Sequence, residues 1–416
     1  MSDGLKNNGG LQPKHLRISL DGGLNFIDKR LPRPLFSVYD MILDHSNDNK
    51  IFLCGDGGVY ISEDNGDSWT KPTGLPTGSF ERRYYDVIMH PTNNQIVYVV
   101  NPYHVFISTN GGQDFSPLDL GRYSVGFSNT ELVVTPANAD ALYIYTTASA
   151  SFNLLLYNAG STSLIADDSS GCTYPDGTVA SLQVGFQQPS YNWSMAISPI
   201  NKEVMYIGAV GLYRTSDGGV NWESILTPQF GGGDIHVDIH SIEFANDGNT
   251  PYVGCDGGIY MYDSDNAPWI RRNNLPITEV NQIDVDIATN SKIYLGTQDN
   301  GLHRLLINNE LGWEGLHAGD AGQVSVSPDG KTVVSGFAGG VVQVSLDGGN
   351  NFKTVLNSEL TKESSAFIPP IKRNYYIPNI IYTAHSNVYK SIDHGRSWVK
   401  TSNINEKIYN LALCRN

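Results

Sequence analysis

The stretch Gly231-Gly232-Gly233-Asp234-Ile235-His236-Val237-Asp238-Ile239-His240 sets ionisable side chains at every second position. In an extended strand, Asp234, His236, Asp238 and His240 share one side, with Ile235, Val237 and Ile239 on the other. Three later phrases add polar groups in glycine-rich turns: Cys255-Asp256-Gly257-Gly258, Gln298-Asp299-Asn300-Gly301 and His317-Ala318-Gly319-Asp320. Glycoside hydrolysis needs two carboxyls about 5–9.5 Å apart with unlike pKa values. Asp238 and Asp299 are the candidate catalytic pair, with Asp256 and Asp320 as alternates. Metal binding is a second chemistry. His236 and His240 stand about 13 Å apart along a strand at ~3.3 Å per residue, too far to share one ion easily. The candidate ligands are therefore His236, Asp238 and Asp256, and calcium suits clustered carboxylates best. A third role is structural, because Asp and Asn in such turns commonly hydrogen-bond their own backbone. As a set, the cluster reads as functional, with Asp234, His236, His240, Gln298, Asn300 and His317 as expected ligand contacts.

Five of the six tryptophans share one recurring position, described next; Trp193 does not. It follows Phe186-Gln187-Gln188-Pro189-Ser190-Tyr191-Asn192 at the start of an inner strand. With Tyr191 it offers a sugar-stacking platform, or it plugs a channel; both readings stay open. Glu81-Arg82-Arg83-Tyr84-Tyr85-Asp86 is another polar, aromatic loop.

What positions these groups is a repeat. An octet of Ser/Thr, any, Asp, any, Gly, two of anything and an aromatic recurs six times. Its copies hold Asp21, Asp64, Asp217, Asp347 and Asp393, with Asn110 replacing Asp in the sixth. Asp tolerates turn conformations and bonds its own backbone, Gly supplies positive φ, and the aromatic anchors the outgoing strand. The anchors Phe26, Trp69, Phe115, Trp222, Trp269, Trp313, Phe352 and Trp398 return at about 45 residues, with one long gap hiding a degenerate unit. Each period reads as four short strands, the signature of a propeller blade. Units fall at about 37–71, 84–118, 130–166, 193–226, 239–272, 280–316, 322–356 and 365–400, after a partial unit at 14–30 and before an expected closing strand at 407–413. The fold expected is an all-β propeller of about eight complete four-stranded units plus a partial one, either one large ring or a piece of tandem propellers.

The octets resemble the Asp-box (BNR-repeat) β-propellers, a class that includes sialidases, xyloglucan-cleaving endoglucanases, the sortilin ectodomain and photosystem-assembly propellers. The resemblance implies that the boxes join the third and fourth strands of a blade on the face away from the ligand. It speaks to fold more than to function. Residues 205–350 also resemble bacterial Asp-box proteins that carry DxHxDxH, DGG, TQDNG and GDGG phrases together, with Ala321 here where a Gly is usual. A sialidase would bring three arginines to its substrate carboxylate and an Arg-Ile-Pro phrase before its first box. Here Arg30-Leu31-Pro32 follows a box, so a sialidase is not expected.

Composition bounds the rest. The net charge of −15 excludes a nucleic-acid surface, and 43 glycines with 20 prolines fit short strands and tight turns. Four cysteines without a CxxC pair support neither a zinc site nor a disulfide framework. No signal-peptide core or membrane-spanning run is present. The expectation is an extracellular or cell-surface propeller that recognises a poly- or oligosaccharide at the rim opposite the octets. A xyloglucanase-like glycoside hydrolase and a peptide- or protein-binding scaffold are the alternatives.

Overall fold

The computed structural model describes residues 15–78, 81–125, 129–148, 151–182, 184, 191–225, 235–263, 267–272, 278–287, 291–307 and 312–413. The chain divides into two compact units, Met1–Asn273 and Asn274–Asn416. Both consist of consecutive antiparallel meanders, the blades of an all-β propeller. In the first unit the blades begin with the strands Ser37–Asp44, Asp86–Met89, Asn129–Val133, Ser194–Ile197 and Ile239–Phe244, preceded by a hairpin of His15–Ile18 and Ile27–Arg30. The second unit has three four-stranded blades, starting at Val280–Val285, Ala321–Val326 and Ile371–Arg373.

Period-two patterns make these segments strands, and packing of blade on blade buries both of their faces. Val97–Val100 and Met205–Gly208 are buried at every position. Phe52, Val59, Tyr84, Val99 and Phe106 form one such layer between neighbouring blades, and Val100, Leu132, Leu142 and Leu155 form the next. Burial of this kind contributes roughly 1.5–3 kcal/mol per large apolar side chain.

The first strand of every blade lies at the edge of its sheet, which leaves backbone N–H groups without ladder partners. The preceding blade supplies the acceptors. Val87 N donates to Asp40 Oδ2 (3.2 Å), Leu132 N to Asp86 Oδ2 (2.6 Å) and Ile242 N to Ser194 Oγ (3.1 Å). Met195 N donates to the Glu131 carboxylate. Within the second unit, Val326 N donates to Asp284 Oδ2 (2.8 Å).

All six octets close in the same way. In the copy at 62–69, Ser62 Oγ donates to Asp64 Oδ1 (2.8 Å) and accepts from Gly66 N (2.7 Å). Asp64 accepts from Ser68 N (2.8 Å) and Ser68 Oγ (2.5 Å). Gly66 sits at φ 83°, which an L side chain resists. These bonds hold the carboxyls of Asp21, Asp64 and Asp393 down at about 2. At Asn110 only Oδ1 accepts, from Ser108 Oγ and Asp114 N.

Several expectations need correction. The fourth strand of the 37–71 unit shrinks to a single bridge, Ile61 to Thr70. A hairpin of Gly171–Thr173 and Val179–Ser181, turned by Pro175-Asp176-Gly177, adds to the blade at 193–226 and pairs in parallel with its outer strand Trp222–Ser224. Residues 407–413 form no closing strand. Asn405 adopts φ 62°, Asn387 Oδ1 captures Ile404 N and Asn405 N just before the segment, and within it Ile408 N makes a single backbone bond to His385 O (3.0 Å). Of the aromatic anchors, Trp222 is 2% exposed and Phe115 2%, but Phe26 is 60% and Trp313 46% exposed.

The octet carboxylates make acid the weak point of these turns. Their pKa is depressed from 3.8, so the stability they contribute is present above about pH 4 and is lost as the pH falls towards 2. Asp64→Ala should melt below wild type at pH 7 and Asp64→Asn between the two, because Asn keeps one acceptor. Thermal melts against pH should show the gap between wild type and Asp64→Asn closing by about pH 2.

Candidate functional site

The expected run of strand through 234–240 does not form. The strand begins at Ile239, and Asp238 adopts φ 64°, a left-handed conformation that breaks alternation. Asp238 N and Ile239 N instead donate to Val210 O (3.0 Å) and Ala209 O (2.7 Å) of the preceding blade. Ile235, Val237 and Ile239 still pack into one core, whereas the polar set disperses. His236 packs over Gly257, where a Cβ would come within 2.3 Å of its own Cβ, and its Nδ1 donates to Val237 O (3.0 Å). Asp234 lies outside the described residues.

His240 and Asp256 do come together. His240 Nε2 donates to Asp256 Oδ1 at 2.6 Å, and the Tyr191 hydroxyl reaches both Asp256 oxygens at 3.3–3.4 Å. The rings of Tyr191 and His240 meet edge to face, 4.9 Å between centroids. Tyr191 is 50% exposed. Beside it, Asn192 Nδ2 donates to Asp238 Oδ1. Trp193 is half-buried against the core shared by its own blade and the preceding one, and lines a cavity described below.

The second unit organises its own residues. Asp299 (φ 62°) donates its N–H to Asp320 Oδ1 at 2.9 Å. Asn300 N donates to Gln298 O (2.7 Å), and Gln298 N to Glu279 O (3.1 Å). His317 Nδ1 donates to Ala318 O (2.8 Å), and its ring lies 4.6 Å from that of Phe337. Gly301, at φ 88°, is obligatory: a Cβ there would lie 2.0 Å from His317 O. Asp238 belongs to the first unit and Asp299 to the second. Among the described residues no group of three or more His, Cys, Asp or Glu side chains is arranged to hold a metal, so His236, Asp238 and Asp256 do not form the expected donor set.

Tyr39, Asp40, Glu131 and Glu243, which sequence reasoning missed, lie deeper in the first unit. Five first strands surround a cavity of about 550 Å³, lined by Asp40, Asp86, Glu131 and Glu243 together with Tyr39, Tyr85, Trp193 and His240. Among the described residues no Lys or Arg lines it. Asp40 and Asp86 hydrogen-bond to one another, and burial, with repulsion from Asp40, raises the Asp86 carboxyl well above the usual range. Burial pushes Glu131 up to about 8, with repulsion from Asp40 and Glu243 adding to it and the Met195 N–H opposing it. Glu131 Oε2 is shut off from bulk water without a hydrogen-bond partner, as is the hydroxyl of Tyr145, directly across the strand pair. A signal existed: Tyr39-Asp40, Tyr85-Asp86, Thr130-Glu131 and Trp193-Ser194 occupy one register of successive first strands.

No family model and no curated protein matches the chain. Among solved structures, a GH74 enzyme from Niastella koreensis aligns with 94% of this chain and 68% of its own, at 14% identity and a TM-score of 0.51. An ancestral GH74 enzyme aligns at 16% identity over 87% of this chain, with a TM-score of 0.45; the chain spans 54% of its length. A YCF48 structure bound to D1 peptide aligns at 14% identity, over 83% of this chain and 88% of its own, with a TM-score of 0.37. The first likeness agrees with the sheet topology: the protein is a β-propeller of four-stranded blades.

The raised carboxyl of Glu131 carries a stability consequence of opposite sign to that of the octets. Its contribution is complete below about pH 4.5 and is lost as pH rises towards 8, because the unfolded chain releases the proton earlier. Facing it are Asp40, Asp86, Glu243, His240 and Tyr145. Glu131→Gln should therefore gain on wild type by ~1–3 kcal/mol between pH 4.5 and 8.5. Urea midpoints measured at both pH values check this; parallel pH dependences would contradict it.

Proposed function

We propose that this protein is a carbohydrate-recognising propeller that binds a poly- or oligosaccharide without cleaving it, at the rim made by Tyr191, Trp193, His240 and Asp256. The observation that carries this reading is the exposed Tyr191 ring held beside the His240–Asp256 pair. An aromatic face suits the apolar side of a pyranose, and fixed carboxylate and imidazole groups suit its hydroxyls. The carboxylates at this rim are already engaged, which favours binding over hydrolysis: Asp256 by His240 and Tyr191, and Asp238 by Asn192. The shared bonding of the six octets supports reading the chain as a member of the Asp-box class.

The test is retention on a panel of insoluble and soluble polysaccharides, with reducing-sugar release scored in the same tubes. Wild type should bind at least one glycan without turnover, and Tyr191→Ala should weaken that binding about tenfold, ~1.4 kcal/mol. Turnover that disappears in Asp238→Asn or Asp299→Asn would overturn the non-hydrolytic reading and make this a glycoside hydrolase. Binding to none of the glycans would overturn the carbohydrate reading itself.

A further inference from the structure

The cavity among the first strands of the first unit, which shares Trp193 and His240 with that rim, poses a further question. Four carboxyl residues, Asp40, Asp86, Glu131 and Glu243, line a space of about 550 Å³ with no basic side chain among the lining residues. That volume lies within the ~300–1,000 Å³ range of small-molecule sites. Asp40 and Asp86 have structural duties, since each accepts the first-strand N–H of the next blade. Glu131 gives one oxygen to Met195 N and leaves Oε2 unpartnered and out of contact with bulk water. Glu243 is the most exposed of the four. An acidic oxygen kept from water and unpaired costs free energy unless a donor or a positive charge meets it. Tyr39, Tyr85 and Trp193 complete the wall, and aromatic faces attract cations further.

We propose that this cavity binds a primary-ammonium group, with Glu131 and Glu243 as its carboxylate contacts and the aromatic rings of the wall around its carbon chain. Divalent metals are a poorer match, because among the described residues no three acidic or imidazole groups are arranged to hold one. An ammonium needs no such convergence: three N–H donors spread over separate oxygens satisfy it. The ligand class is a small amine, either an aliphatic di- or polyamine or an amino sugar with a free amine. Binding drives the Glu131 proton into solution, so affinity should strengthen as pH rises from about 6 to about 8. Asp40, Asp86, Glu243, His240, Tyr39, Tyr85 and, across the strand pair from Glu131, Tyr145 are the other titrating groups that face the site.

Calorimetric titration of the full chain at low ionic strength tests this with spermidine, 1,4-diaminobutane, a glucosamine trimer, its fully N-acetylated counterpart and magnesium chloride. The expected result is saturable binding of at least one amine, with the N-acetylated sugar and magnesium inactive at the same concentrations. Glu131→Gln and Glu243→Gln should each weaken it about tenfold or more, and Asp140→Asn, on a side chain 94% exposed, should not. Binding of diamines without any glycan binding would support this site while overturning the carbohydrate reading. Binding of the glucosamine trimer, reduced in Glu131→Gln, would join the two sites in one ligand. Absence of amine binding, equal binding of magnesium, or amine binding indifferent to both Glu substitutions would each overturn the proposal.

Discussion

A propeller blade ends inward on a strand with nothing beside it, and that unpaired edge is the constraint around which this protein is built. The solution is a hand-off between neighbours. Asp40 serves Val87, Asp86 serves Leu132, Glu131 serves Met195 and Ser194 serves Ile242 in the first unit; Asp284 serves Val326 in the second. Each bond satisfies a backbone donor that would otherwise be orphaned. It also fixes the register of one blade against the next, which sheet hydrogen bonds cannot do across separate sheets.

That solution has an electrostatic consequence. Acidic acceptors placed on consecutive first strands gather around one cavity, where burial and mutual repulsion disfavour their charged forms. Ser194 performs the same service without charge, so acidity at the other positions exceeds what the backbone requires. The octets show the reverse regime. Their carboxylates stand in water at the outer turns, collect donors within four residues and are held low. One amino-acid type thus supports two opposite pH dependences, set by solvent access and by the direction from which donors come.

The division between what the sequence shows and what it hides follows from range. The octets are legible because every bond runs between residues two to four apart, and their spacing exposes the blade period. The first-strand acceptors share a register that the sequence repeats, but their bonds are not legible, because each partner lies a whole blade away, at distances such as the 47 residues between Asp40 and Val87. Residues 234–240 misled because alternating polarity is only a strand signal if every φ is extended, and Asp238 is not. The apolar half of that pattern survived, since burial of Ile235 and Ile239 tolerates an irregular backbone better than side-chain convergence does. The Tyr191–Asp256–His240 contact was partly visible: its members were singled out one by one, but sequence could not join residues from loops 65 apart. The hairpin at 171–181 had its turn in plain view at Pro175-Asp176-Gly177, yet nothing local announced that it would pair with Trp222–Ser224.

Native-state hydrogen exchange, read residue by residue, tests the hand-off most directly. The amides of Val87, Leu132, Met195, Ile242 and Val326 should exchange as slowly as those of the central strands, because each is bonded across blades as firmly as within a sheet. Exchange of these amides at the rate of exposed loops, with the second and third strands of the same blades protected, would show that the blades are held by apolar packing alone and would contradict the account.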